Sequence, residues 1–382
     1  MLKGKKVAIT GGTGFIGSRL AEKLILEYGA EVSILLERYT NASRVARLPV
    51  QFKKVDLLDK NNLKEILQDC NYVVHCAYGS RGTPQEQYEI NVNGTRTIAE
   101  IAAACGVNRF IHLSTVMVYG TPQSGVITED LPYTETDNPY AAEKIASEKI
   151  VKECHKNFNL PYVILQPTAV IGPDGLTWTK KIFERLKKKR IILINGGDGL
   201  CNFIYIDDCV DGIIRALQHE NAIGETFLLS ADSPVSWKDF YSAHEAMLGI
   251  SSTIDLNVKE AKRLYDTKDK ERNIVYRGIS AVMKDRRVKR RANKYLQNRI
   301  IYGIASVLFQ KYTLNEYTNL NGSNNIKHKE IHYLDQDQIS FFSSKAIVSS
   351  KKAKDILGIK NRYDFEDVLN PISSWAMWTR II

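Results

Sequence analysis

Nowhere in the 382 residues is there an uninterrupted apolar run of the ~18 residues that a membrane-spanning helix requires. A polytopic membrane protein is thereby excluded. The first residues, Met1 to Lys6, lead straight into the strand-like Val7-Ala8-Ile9-Thr10, without the apolar stretch and small-residue cleavage site of a secretory leader. The six cysteines (Cys70, Cys76, Cys105, Cys154, Cys201 and Cys209) form no CxxC pair and have no histidine at ligand spacing. Scattered thiols of this kind predict a reduced, cytoplasmic setting and no metal site. His75, His112, His155 and His219 are likewise isolated and read as core or surface residues. No internal repeat is visible. At 44% hydrophobic and 25% charged residues, the chain is neither disordered nor collagen-like.

Net charge of one sign is confined to one place. The net charge is +10, and an excess of nine positive charges lies between Asp255 and Ile300, where fifteen Lys/Arg meet six Asp/Glu. This basic insert lacks the interleaved stacking aromatics of a nucleic-acid surface, so no nucleic-acid partner is expected. It reads either as a solvated helix face or as a peripheral contact with an anionic membrane. In the second reading Lys284–Arg299 meets the headgroups, and Ile300–Phe309, too short to span a bilayer, lies in the interface.

The first half alternates strand and helix patterns, the rhythm of βαβ units and a parallel sheet. Strands are predicted at Lys6–Thr10, Glu31–Leu36, Gln51–Val55, Tyr72–His75, Arg109–Ser114 and Tyr162–Gln166. Helices are predicted at Gly17–Glu27, Asn62–Leu67, Tyr88–Cys105 and Pro139–Lys156. Runs such as Val73-Val74 and Ile164-Leu165 are apolar on both faces, as in strands covered on both sides. After Gly172-Pro173 a basic helix (Lys180–Lys189), a glycine turn (Gly196–Gly199) and a strand and helix over Phe203–Leu217 follow. The expected fold is α/β: a Rossmann-type doubly wound domain over residues 1–170, to which 202–235 return. Residues 171–201 and 236–382 are expected to form a smaller α/β substrate domain carrying the basic insert, 255–300.

Thr10-Gly11-Gly12-Thr13-Gly14-Phe15-Ile16-Gly17 stands between the first strand and the first helix. Glycines in that place let the chain turn sharply and let a pyrophosphate approach the N–H groups of the helix terminus. Gly11, Gly14, Phe15, Ile16 and Gly17 are therefore candidate dinucleotide-binding residues. Glu37, twenty residues beyond Gly17, stands where an acid bonds the ribose 2′-hydroxyl of NAD. Arg38 follows at once and Arg44 is close enough to neutralise the 2′-phosphate of NADP. Glu37 tilts the choice towards NAD and leaves NADP open.

Tyr140 and Lys144 are one turn apart on a single helix face. A phenol titrates near 10, too high for proton transfer at neutral pH, but a neighbouring cation and an oxidised nicotinamide both stabilise phenolate. Tyr140 can then exchange a proton with a substrate hydroxyl while hydride moves to or from the cofactor, and Lys144 can hold the nicotinamide ribose. Ser114-Thr115-Val116-Met117 ends a predicted strand, where ligands bind in open α/β sheets, and the Thr115 hydroxyl can bond the reacting oxygen.

The GxxGxxG spacing and the Tyr140-Ala141-Ala142-Glu143-Lys144 segment resemble those of the extended short-chain dehydrogenase/reductases, in the NAD-dependent epimerase/dehydratase family. Asn91-Val92-Asn93-Gly94-Thr95, Pro161–Pro167, Ile171-Gly172-Pro173, Phe203–Asp208 and the tail at Ser349–Gly358 and Phe365–Trp375 extend the resemblance over essentially the whole chain. It implies catalysis by Thr115, Tyr140 and Lys144, with Asp56 and Leu57 beside the adenine. It further implies that Asn91, Cys76, Ala77, Tyr78 and Pro167 line the cofactor, and that the protein is a homodimer. Departures from the family pattern narrow the reaction. Val116 and Met117 stand where sugar 4,6-dehydratases carry acids, which disfavours dehydration. Cys201 and Asn202 stand where many nucleotide-sugar epimerases grip the diphosphate with arginine, Gln166 replaces the usual arginine, and Ile171 the usual tyrosine. Another basic residue, such as Arg277, would have to supply that grip.

The leading reading is an NAD(P)-dependent epimerase or reductase acting on an activated sugar. A reductase of a steroid- or flavonoid-like ketone is the alternative within the class, and a catalytically silent cofactor-bound binding protein the alternative outside it. Tyr119 reads as packing, Asp208 as local support, and Phe341-Phe342 as core or lid.

Overall fold

The computed structural model describes residues 2–189, 191–266 and 334–382. Most of the basic insert, with Arg277, Lys284–Arg299 and the Ile300–Phe309 run, lies outside the described residues, and so does the proposed membrane contact. Residues 1–255 with 340–382 form one compact unit and residues 256–339 a second. In the second, a helix begins at residue 258, its first turn closed by reciprocal 2.9 Å bonds between Asn257 and Glu260.

The first unit is built on seven strands: β1 (Lys6–Thr10), β2 (Glu31–Leu36), β3 (Gln51–Lys54), β4 (Tyr72–His75), β5 (Arg109–Leu113), β6 (Tyr162–Pro167) and β7 (Glu225–Leu229). They lie in the order β7-β6-β5-β4-β1-β2-β3, and every pairing is parallel. The chain moves outward from β1 to β3, then returns to the other side of β1 at β4. The carboxyl ends of β1 and β4 therefore flank the switch point at which open α/β sheets bind ligands.

The two-residue period of the strands divides the core. Val7, Ile9, Val74, Ile111, Val163 and Leu165 pack on one face with Leu20 and Leu24 of the helix Phe15–Leu26 and with Ile213 and Ile214 of the helix Ile206–Gln218. Ala8, Val73, Phe110, Tyr162 and Ile164 pack on the other, with Ile98 and Ala102 of the helix Gly94–Ala104 and with Ile150 and Val151 of Pro139–Phe158. This is the doubly wound arrangement expected from the strand pattern. The seventh strand was not foreseen: five residues after Gly224 offer too short a run to separate from the preceding helix.

The segment predicted as one helix over Tyr88–Cys105 is three pieces, a short helix Pro84–Tyr88, a π turn Glu89–Asn93 and the helix Gly94–Ala104. The Asn91 carbonyl explains the interruption. It accepts bonds from the hydroxyls of Thr95 (2.6 Å) and Ser147 (3.0 Å), which stand in for a regular helix amide. Among the described residues no helix is long and apolar enough to cross a membrane, and no cluster of His, Cys, Asp and Glu is disposed to hold a metal.

Among the described residues three histidines, His75, His112 and His244, are fully enclosed. Burial lowers His75 to about 3 and His244 to about 4, and it takes His112 well below the usual imidazole range. The unfolded chain binds protons at these sites below pH ~6.5 and the native chain does not, so native stability is fully present above pH 6.5 and falls with acidification. Each ring contributes a slope of up to ~1.4 kcal/mol per pH unit in that window. Urea unfolding at pH 7.0, 6.0 and 5.2 is expected to show a steep loss. His244 lies between Phe183 (5.3 Å) and Phe240 (4.6 Å), and His244→Phe should flatten the loss by about one ring's share. An unchanged slope in that variant would remove His244 from the effect.

Candidate active site

Gly11 leaves β1 with φ +67, and a Cβ there would stand 2.8 Å from the Ala77 nitrogen. At Gly17 a Cβ would meet the Gly11 carbonyl oxygen at 2.4 Å. The turn closes on itself through the Gly14 N–H, which donates to Gly11 O at 2.9 Å. The helix Phe15–Leu26 then starts at Gly14 with no side-chain cap and no acid in its first turn. Its leading N–H groups are therefore unclaimed by any side chain, and the positive end of its dipole is uncompensated. A diphosphate fits this cradle sterically and electrically. The Thr10 hydroxyl ties the turn to its neighbours, accepting from the Ala77 N–H at 3.2 Å and lying 2.7 Å from His75 Nδ1. His75 Nε2 in turn lies 3.0 Å from the Thr95 hydroxyl.

The second group of candidates stands at the end of β5. Asn138 opens the helix Pro139–Phe158, its side chain accepting from the Tyr140 (3.1 Å) and Ala141 (3.4 Å) N–H groups, and Pro139 suits the first helical position. Lys144, 7% exposed, donates from Nζ to the carbonyl of Leu113 at 2.7 Å. That carbonyl ends β5 two residues before Thr115, which caps the turn Val116–Tyr119. The Thr115 hydroxyl lies beside the Tyr140 phenol and favours its ionised form. Burial lowers Lys144 to about 8, opposed by Cys76, Glu148 and Glu143. Tyr140 is raised, because burial outweighs the opposing effect of the Thr115 hydroxyl. At neutral pH Tyr140 is by itself therefore a protonated phenol.

Tyr78, Cys76 and Asn91 gather round this pair. The Tyr78 ring meets Tyr140 edge-on at 4.9 Å and lies 5.4 Å from Lys144 Nζ. Its hydroxyl donates to Glu143 (3.0 Å), which also accepts from Asn91 Nδ2 (2.7 Å). Asn91 bonds both backbone groups of Gly79, at 2.7 and 2.8 Å. Two carboxylates here were missed from the sequence, Glu143 and Glu148. Glu148, fully buried, accepts from the Ser114 hydroxyl, from Tyr133 (2.7 Å) and from Gln166 Nε2 (2.9 and 3.1 Å). The spacing 140, 144, 148 puts it on the same helix face, a signal that was there to be found. Tyr119, read as packing, donates to Gln166 Oε1 at 2.9 Å.

On the adenosine side Glu37 and Arg38 follow β2 and face each other at 3.3 Å, both 68% exposed. Arg44 is elsewhere: its Nε meets Asp174 Oδ2 at 2.6 Å. Asp56 follows β3 with its carboxylate turned to the Leu58 N–H (2.9 Å), and Leu57 lies against Gly94. Pro167 is buried at the end of β6, opposite Leu229. At the place of the missing arginine, Cys201 is buried, and Asn202 donates to Ala346 O and accepts from Val348 N, both at 2.9 Å. Asp208 accepts from the Arg362 and Tyr363 N–H groups at 3.1–3.3 Å, fastening the C-terminal segment.

The sequence profile of the NAD dependent epimerase/dehydratase family matches residues 7–229. Among characterised relatives, UDP-glucose 4-epimerase of Neisseria meningitidis serogroup B is 28% identical over 295 residues, 67% of this chain and 86% of the relative. The sterol-4-alpha-carboxylate 3-dehydrogenase of Bos taurus is 28% identical over 253 residues, 63% of this chain and 69% of the relative. Among solved structures, UDP-glucuronic acid 4-epimerase from Bacillus cereus in complex with UDP-glucuronic acid and NAD superimposes with TM-score 0.67 at 22% identity, covering 98% of this chain and 99% of its own. A dTDP-glucose 4,6-dehydratase from Streptomyces venezuelae with NAD bound gives TM-score 0.68 at 20% identity, covering 98% of each chain.

The glycine cradle generates a direct test. Gly17→Ala places a methyl group against the Gly11 carbonyl, and the expected cost is ~1–3 kcal/mol of stability, the range for overpacking. Gly106→Ala, where a Cβ meets nothing within 4 Å, carries only the penalty of its φ of +66. Thermal unfolding of each variant against the wild type measures both costs, and a Gly17→Ala midpoint equal to that of the wild type would refute the close approach at Gly17.

Proposed function

The chain belongs to the NAD dependent epimerase/dehydratase family, and on that premise we propose that it is an NAD(P)-dependent epimerase or reductase that acts on a hydroxyl or ketone of an activated sugar. The observation that carries the reading is the meeting of Thr115, Tyr140 and Lys144 at the carboxyl end of β5, on the edge of the sheet that holds the glycine cradle. Bound NAD(P) supplies the hydride acceptor and donor. Tyr140 moves the proton: its phenol oxygen takes it from the substrate hydroxyl and returns it when the ketone is reduced. The Thr115 hydroxyl holds the reacting oxygen against that phenol. Lys144, fixed by the Leu113 carbonyl, holds the nicotinamide ribose and lowers the cost of the phenolate. Gly11, Gly14, Phe15, Ile16 and Gly17 receive the diphosphate, Glu37 the 2′-hydroxyl, and Asp56 and Leu57 the adenine. Cys76, Ala77, Tyr78, Asn91 and Pro167 line the path between.

Epimerase chemistry is supported by the Neisseria relative, named a UDP-glucose 4-epimerase. The apolar Val116 and Met117 leave no acid beside Thr115 to expel water, which speaks against dehydration even though a dehydratase shares the fold. One observation favours a second reading, reduction of a non-sugar ketone. Asn202 is committed to the strand Ile347–Val348, so it offers no grip to a diphosphate, and a sterol dehydrogenase is among the relatives. A substrate domain from 171–201 and 236–382, and a homodimer, complete the proposal.

Tyr140→Phe keeps the ring packing and removes the proton carrier. Turnover is expected to fall ~10²–10⁴-fold while NAD binding stays within a few-fold of wild type. The assay is a set of activated sugars, including UDP-glucose and UDP-glucuronic acid, with product identity and reduced-nicotinamide absorbance followed together. An epimerase converts sugar with no net reduction, whereas a dehydrogenase accumulates reduced cofactor. Activity near wild type in the variant would eliminate Tyr140 from the mechanism.

A further inference from the structure

The sequence places two arginines within reach of an adenosine 2′-phosphate, and the fold pairs each with an acid. Arg38 faces its neighbour Glu37. Arg44 is held at two points, Nε on the Asp174 carboxylate at 2.6 Å and Nη2 donating to the Asp174 carbonyl at 3.1 Å. Asp174 is 130 residues away in sequence and sits in the left-handed region, with φ +65. The turn that carries it is firmly built. Gly175 N donates to Gly172 O at 3.1 Å, and the Thr179 hydroxyl donates to the same carbonyl at 2.9 Å. A Cβ at Gly175 would stand 3.1 Å from the ring of Phe15, the first residue of the helix above the glycine cradle. The ion pair therefore bridges the segment after β2 and a turn seated beside the nucleotide cradle.

We propose that Asp174 is a specificity-determining residue of the adenosine subsite, selecting NAD over NADP by holding Arg44 away from a 2′-phosphate. The inference rests on the cofactor use proposed above and adds the choice between the two nucleotides. An ion pair with partners 30% and 45% exposed is not strong by itself. It does not have to be. A 2′-phosphate that drew on Arg44 would have to displace Asp174 from it and then remain beside that carboxylate, in a pair whose two charges already cancel. The ribose of NAD brings no charge to that position and asks for no cation.

The test is titration of the full chain with NAD⁺ and with NADP⁺ by calorimetry, which reads binding without turnover. Asp174→Asn keeps the size of the side chain and a residue type that tolerates the left-handed region, while removing the charge. Its NADP⁺ affinity is expected to rise roughly tenfold, equivalent to about 1.4 kcal/mol, with NAD⁺ affinity within twofold of wild type. The gain should vanish in Asp174→Asn/Arg44→Ala. Arg44→Ala alone should leave NADP⁺ affinity unchanged within twofold, because the guanidinium is already committed. Wild-type protein that binds NADP⁺ as tightly as NAD⁺ overturns the proposal and leaves the cofactor reading standing. An Asp174→Asn variant that shifts both nucleotides equally, or neither, also overturns it. Binding of neither nucleotide to the wild type overturns the cofactor reading itself.

Discussion

The arrangement at the carboxyl edge of the sheet depends on one buried ammonium. Lys144 is almost wholly shielded from water, and among the described residues its direct acceptor is the carbonyl that ends β5. Burying a cation is costly unless its surroundings compensate, and two carboxylates, Glu143 and Glu148, lie close enough to favour its charged form. Those carboxylates are shielded themselves and need donors of their own. Glu143 takes them from Tyr78 and Asn91, Glu148 from Ser114, Tyr133 and Gln166. Asn91 can reach Glu143 because the helix carrying it is widened by a π turn, and that turn is held by Thr95 and Ser147. A single buried charge thus accounts for the polar residues Tyr78, Asn91, Ser114, Tyr133 and Gln166, which come from five different segments.

The same edge tolerates no second internal cation. His75 and His112 stack at 5.6 Å beside Lys144, and burial together with that ammonium keeps both neutral. His75 earns its interior place by bridging Thr10 at the glycine turn to Thr95 behind the π turn. The phenol of Tyr140 meets the converse problem. Burial resists its ionisation, so in the proposed chemistry the positive nicotinamide is what brings the phenolate within reach. Cradle and acid–base pair are then complementary parts of one device, joined by the Thr10–His75–Thr95 chain.

Much of this was legible because local rules and global fold agree. Strands apolar on both faces announce a doubly covered sheet, and three of the six predicted strands, Lys6–Thr10, Glu31–Leu36 and Tyr72–His75, keep their predicted first and last residues, while the other three end one residue away. The glycine turn could be read since only glycine admits the Gly11 dihedral and the Gly17 contact. Glu148 escaped notice despite its helical spacing, because a glutamate on a long polar helix reads as solvated until the residues covering it are known. Asn91 was placed by resemblance, while the widened turn that aims it depends on hydroxyls from two other positions.

The sequence by itself determined the layer order, the glycine cradle and the Tyr140–Lys144 spacing, since each follows from contacts within a few residues or from a periodicity of two or 3.6. Only the tertiary structure decided which charges are free. Arg44 reads as an available cation until a turn 130 residues later presents Asp174 to it. Asn202 reads only as the residue standing where the family's arginine is missing, and the fold alone shows both ends of its amide claimed, by Ala346 and Val348. Ion pairs and side-chain bonds between distant segments leave no periodic trace in a sequence, because their energy depends on a distance that the fold alone sets.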